Sequence, residues 1–149
     1  MSKESNKRET LADLMAKKKS RKKDSPLYGE FYSKTEDYTF SFRKCDEELF
    51  FYLLDKYPNG FSQENMNTGE LVKAFNNLIY ECIVIDGRSL KDKEVKVMLN
   101  VDERDQKNLI NNSAKALIES FTDRLNLGTA ILEFSGLSDG NKQVNEIKN

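Results

Sequence analysis

Histidine is absent from this chain of 149 residues. That removes the side chain that titrates nearest neutral pH and the commonest metal ligand. Ser-His-Asp and Cys-His nucleophilic sites are excluded, as are zinc fingers with paired cysteines and histidines and His-bearing zinc proteases. The two cysteines, Cys45 and Cys82, are too few for an all-cysteine zinc site. Their spacing is unpatterned, and they read as buried free thiols of a reducing cytoplasm. Cys82 falls on an apolar helical stripe as a small core residue, and Cys45 at a strand-to-helix junction. No apolar run approaches the roughly 20 residues that span a bilayer. None of signal-peptide length follows the N-terminal charges. A cytoplasmic protein with no membrane partner is the expectation. A glycine-rich phosphate loop is also missing, since Gly136, Gly140 and Lys142 lack Walker spacing. Asp102, Glu103 and Asp105 lack the order of a calcium loop and read as acids at a helix start. No catalytic, cofactor-binding or metal-binding residue is assigned, and no enzyme is expected.

What is present is an uneven distribution of charge. The formal net charge is −1. Residues 1–23 nevertheless carry nine basic and three acidic side chains, a balance of +6, and the remainder 15 and 22, a balance of −7. A basic arm on an acidic body is the pattern of an interaction tail. The hydrophobic content of 38% and mean hydropathy of −0.71 suit one somewhat polar domain with disordered ends. The divisions read as a basic arm over 1–26, one hairpin-plus-helices domain over 27–137, and a polar flexible tail over 138–149.

Periodicity supplies the elements. Thr10 reads as a helix N-cap with Asp13 in the first turn. Leu11, Leu14 and Met15 then stand at i, i+3 and i+4, and the run Lys17–Lys23 continues that helix weakly because like charges three and four apart repel. Pro26 closes it. Two aromatic-rich stretches, Leu27–Tyr32 and Tyr38–Phe42, alternate with period two and read as a hairpin. Tyr38, Phe40 and Phe42 fall on one face of the second, and Gly29 and Phe31 join Leu27 on one face of the first. From Asp46 the period becomes helical, with Leu49, Phe50, Leu53, Leu54 and Tyr57 in one stripe ended by Pro58-Asn59-Gly60. Asn67 and Glu70 resemble a capping box. The stripe Leu71, Ala74, Phe75, Leu78, Ile79 and Cys82 predicts a helix ending near Ile85. Residues 89–99 read as a helix capped by Ser89, although Val95 and Val97 also fit a short strand. Asp102 is a candidate cap for a helix carrying Leu109, Ile110, Ala114, Leu117 and Phe121. Thr122 and Asp123 either start a last helix or bend the same one, with Leu125, Gly128, Ile131 and Leu132 continuing the stripe. Ser135-Gly136-Leu137 reads as a Schellman stop. The fold class is α+β and mainly helical: an arm helix, one β-hairpin, then a compact bundle of four to five helices.

The layout resembles a known family. Thr10-Leu11-Ala12-Asp13-Leu14-Met15-Ala16 precedes a charged linker and an extended hairpin. Compact helices follow, then Ile131-Leu132-Glu133-Phe134-Ser135-Gly136-Leu137, and finally Glu146-Ile147-Lys148-Asn149. In this order and length the chain resembles the XkdN-like tail assembly chaperones of long-tailed phages and prophages of Gram-positive bacteria. The resemblance implies a non-enzymatic protein of the host bacterial cytoplasm, absent from the mature virion. It implies a partner, the tape measure protein, held until tail tube subunits polymerise around it, with the tail tube protein as a further candidate partner.

The family brings no residue-level motif, so the candidate site rests on physics alone. A short helix with three large apolar residues is not stable by itself, and Leu11, Leu14 and Met15 must dock on their own body, a second copy or a client. Lys18, Lys19, Arg21 and Lys22 beside them add steering toward an acidic surface. The acidic body of a second copy qualifies, which allows self-association. Two alternatives stand beside the chaperone: a small nucleic-acid-binding phage regulator using the Lys17–Lys23 run, and a structural tail component. The acidic body argues against nucleic acid as the main partner.

Overall fold

A computed structural model describes residues 10–24, 27–62 and 64–137, with the side chains of residues 22–24 outside that set. The expectations for residues 1–9, for Pro26 and for the 138–149 tail lie outside the described residues. Helix α1 (Leu11–Asp24) leads into strands β1 (Tyr28–Ser33) and β2 (Tyr38–Arg43), which pair antiparallel from Tyr28 opposite Arg43 to Ser33 opposite Tyr38. The alternation decides which face is covered. Gly29, Ser33, Phe40 and Phe42 are buried, whereas Tyr28, Glu30 and Tyr32 face outward. Tyr38 departs from its expected place beside Phe40 and Phe42. It is half exposed, because it opens β2 at the hairpin turn and meets Phe40 only edge-on, 4.8 Å between centroids.

Helices α2 (Glu47–Lys56) and α3 (Thr68–Cys82) start as their caps dictate. The Asp46 carboxylate accepts from the Leu49 N–H at 2.8 Å, and the Asn67 side chain from the Glu70 N–H at 3.0 Å. The Asn67 N–H donates to the Asn59 carbonyl at 2.8 Å, which ties the 58–67 loop to the start of α3. Phe61 in that loop packs between α2 and α3, its ring 5.8 Å from those of both Phe50 and Phe75. Helix α3 stops three residues earlier than its apolar stripe implies. The β-branched run that begins at Ile83 takes extended dihedrals, and β3 (Ile83–Val84) adds a third, antiparallel strand to β2. The Arg43 guanidinium donates to the Glu81 carbonyl at 2.8 and 3.1 Å, covering an end that the helix leaves open.

Three further expectations are corrected in the second half. Helix α4 is confined to Lys93–Met98, and its cap is Asp92, which accepts from the Glu94 and Val95 N–H groups, while Ser89 folds a local turn with Lys91. Asp102 caps no helix, because its carboxylate is taken by the backbone and side chain of Arg104. A 3-10 turn at Gln106–Asn108 leads instead into α5 (Leu109–Leu117). Helix α6 (Phe121–Phe134) is separate from α5, the first of the two readings open at Thr122 and Asp123, and its cap is Ser120. Phe121 is therefore half exposed, and Ile118, in the break, takes the buried position. The C-terminal stop is a Schellman motif: Gly136, at φ 75°, donates to Glu133, and Leu137 to Leu132. Six α-helices and a three-stranded sheet among the described residues make the α+β, mainly helical fold.

Helix α3 lies at the centre, packed on α5 and α6 and continued into β3. Its contact with α6 needs a glycine, since a Cβ on Gly128 would stand 2.7 Å from the Phe75 ring. Cys82 is buried, as its stripe implies, and so is Cys45. The neighbouring Cys45 and burial push the Cys82 thiol up, away from ionisation. The least expected core residue is Arg124, only 5% exposed. Its Nε donates to Asn76 Oδ1 on α3 at 3.1 Å, and its Nη1 to the Ile118 and Glu119 carbonyls at 2.7 and 2.9 Å. Asn76 donates onward to Asn111 on α5 at 3.1 Å. Arg124→Met leaves these acceptors without donors, at roughly 1–3 kcal/mol for each buried one. The expected cost is about 3 kcal/mol, roughly 10 °C in Tm, with Arg124→Lys intermediate because one ammonium cannot reproduce the fork. Thermal melts check this; a Met variant that melts with the parent would show that the network carries no weight.

Candidate partner-binding surface

Helix α1 is built as its sequence dictates. The Thr10 N–H donates to the Asp13 carboxylate at 3.1 Å, and the Asp13 N–H to Thr10 Oγ1 at 3.1 Å, a reciprocal capping box. The Thr10 bonds hold the Asp13 carboxyl below the usual carboxylate range. The helix extends through the lysine run to Asp24. Leu11 (72% exposed), Leu14 (38%) and Met15 (55%) all stand in solvent, as does every residue over 10–21.

At 100° per residue, Leu11, Leu14 and Met15 share one side of α1 with Lys18, and with Arg21 and Lys19 at its two margins. That side is divided along its length, apolar in the N-terminal half and basic in the C-terminal half. Arg21 bonds back through its Nε to the Lys17 carbonyl at 3.4 Å. Lys22 occupies the same side by position, and its side chain lies outside the described residues.

The structure adds a second surface, on α2. On α2 the inward stripe buries Phe50 and Leu53, while Phe51 (56% exposed) and Tyr52 (49%) point outward among exposed Glu47, Glu48 and Asp55. Its signal is readable: two aromatics out of phase with the stripe Leu49, Phe50, Leu53, Leu54, Tyr57. Elsewhere, a cleft of about 350 Å³ lies between the turn at Asp86, α4 and the end of α5, lined by Ile85, Val95, Leu99 and Leu117. Asp86 and Arg88 are its charged lining residues, and Arg88 is engaged by Glu94 and lies 3.9 Å from Asp92. Among the described residues, no cluster of His, Cys, Asp or Glu side chains is placed to hold a metal ion, and no helix is long and apolar enough to cross a membrane.

No family model, curated protein or solved structure matches this chain. The functional reading therefore rests on the surfaces above and on the resemblance carried by the sequence.

Because α1 stands clear of the core, changing its apolar side should leave the body intact. Leu11→Asp with Leu14→Asp is expected to move Tm by no more than about 2 °C, the range of surface substitutions. Circular dichroism melts measure it, and a fall of the size expected for Arg124→Met would show that α1 packs on its own body.

Proposed function

We propose that this chain is a phage or prophage tail assembly chaperone that binds the tape measure protein and promotes tail tube assembly. The observation that carries the reading is the exposed Leu11, Leu14 and Met15 side of α1, held off a body with its own complete core. A holder of a long, helical, aggregation-prone chain needs apolar surface that meets amphipathic helices. The segment Thr10–Ala16, one of the two on which the family resemblance is strongest, forms the cap and first turns of that helix. The work is binding, without chemistry, and the place of action is the host cytoplasm before the virion is complete. The basic half of α1 steers it toward acidic segments of the client.

Co-expression tests the proposal. The reading expects a very long tape-measure-like protein encoded nearby, which should be more soluble with this chain than without it and should co-purify with it. Leu11→Asp with Leu14→Asp should lower the amount captured about tenfold, the equivalent of about 1.4 kcal/mol. Equal client solubility with and without the chain would contradict the reading. A nucleic-acid regulator predicts instead a gel shift that is strongest at low salt, and a structural tail component predicts the chain in purified particles.

A further inference from the structure

Two faces of this chain complement each other and are both uncovered. On α1, Leu14 and Met15 are followed three to five residues later by Lys18 and Lys19. On α2, Phe51 and Tyr52 are preceded at the same spacing by Glu47 and Glu48. At 1.5 Å of rise per residue, the apolar and charged centres are about 6 Å apart on each helix. Laid antiparallel, the two helices bring apolar side to aromatic side and lysine to glutamate in one register. Near the C-terminal end of α2, the Lys56 ammonium donates to the Tyr52 hydroxyl at 3.1 Å and lies 5.5 Å from the Tyr52 ring centroid, past the aromatic pair from Glu47 and Glu48. Exposed aromatics occurring singly need no explanation; an adjacent pair framed by carboxylates, in a chain whose basic helix carries the opposite pattern, does.

We propose that α1 of one copy docks on the outer face of α2 of a second copy, and reciprocally, to form a two-fold dimer. Leu14 and Met15 then cover Phe51 and Tyr52, and Lys18 and Lys19 face Glu47 and Glu48. Within one chain the α1 side and the α2 face are both exposed, so the occupant of each is sought in another copy. A two-fold arrangement makes the contact twice and closes the assembly. It also supplies the packing that a 14-residue helix needs in order to persist in water. A client and a second copy would then compete for the same side of α1; the inference is tested on the purified chain alone, so its failure leaves the tape-measure reading untouched.

Sedimentation velocity of the full chain over a concentration series, at low and high salt, tests it. The parent should dimerise, several-fold more weakly at high salt as screening removes the lysine–glutamate attraction. Phe51→Glu with Tyr52→Glu should weaken dimerisation at least tenfold, and so should Glu47→Lys with Glu48→Lys. Adding Lys18→Glu and Lys19→Glu to the latter pair should restore it, since the charges are exchanged. All these positions are exposed, and unchanged melts will confirm that each variant folds. A parent that stays monomeric at its highest soluble concentration overturns the proposal, including the case in which α1 folds back on its own α2. So does a dimer indifferent to the charge exchange.

Discussion

The body of this protein is organised around a guanidinium whose hydrogen-bond acceptors, among the described residues, are all neutral. Arg124 reaches the side-chain oxygen of Asn76 and the carbonyls of Ile118 and Glu119, where the chain breaks between α5 and α6. Burial lowers its pKa from the ordinary arginine value, and an arginine stays charged at neutral pH regardless. A charge held in the core demands its full set of acceptors. Satisfying it fixes the break at 118–120 and places α6 against α3. Asn76 then passes the constraint to Asn111 on α5. The hairpin is tied to the same corner, because the buried Ser33 hydroxyl donates to Asp123 at 2.6 Å and the Glu119 N–H donates to Glu36 at 3.0 Å. The Ser33 bond holds the Asp123 carboxyl below its usual range. A group with a lowered folded pKa stabilises above its unfolded pKa and loses that contribution as pH falls through the folded value. This corner is accordingly weakened only in acid.

With those ties made inside the body, α1 has no structural duty left. Apolar residues of α3, α5, α6 and the hairpin form one cluster that includes no described residue of α1. That division matches the charge: a basic, exposed helix attached to an acidic, self-sufficient domain. A protein that must hold another chain and release it is served by such a division, since the binding element can engage and disengage without melting the fold. The exposed aromatic face of α2, with Glu47, Glu48 and Asp55 around it, likewise lies outside the core.

Much of this was readable from the residues. Thr10, Asp46 and Asn67 announced three helix starts because a short polar side chain ahead of an apolar period has a specific hydrogen bond to make. Gly136-Leu137 announced the last stop in the same way. The hairpin followed from alternation, and α3 from a stripe without breaks. What was not readable is also physical. Arg124 falls in phase with Leu127, Gly128 and Ile131 on the buried side of α6, but arginine is rarely a fully buried residue, and its acceptors come from segments far away in sequence. Ile83 and Val84 leave the helix for a strand because β2 is there to pair with them, a tertiary reason. Ser120 is not legible as the cap of α6 because the break at Ile118 is invisible until the core has claimed that side chain. The apolar side of α1 was plain from Leu11, Leu14 and Met15, whereas the α2 face emerged only once the packing showed which aromatics the core leaves outside.

The central claim is that a domain closed by the Arg124 corner carries an exposed helix with no packing duty. Amide hydrogen exchange on the dilute, monomeric full chain tests it most directly. The claim predicts that amides of α3 exchange only through opening of the whole domain, while those of α1 over 11–21 exchange orders of magnitude faster, close to the rate of a lone helix. Protection of α1 equal to that of α3 in the monomer would contradict it, because the arm would then be part of the fold it is held to serve.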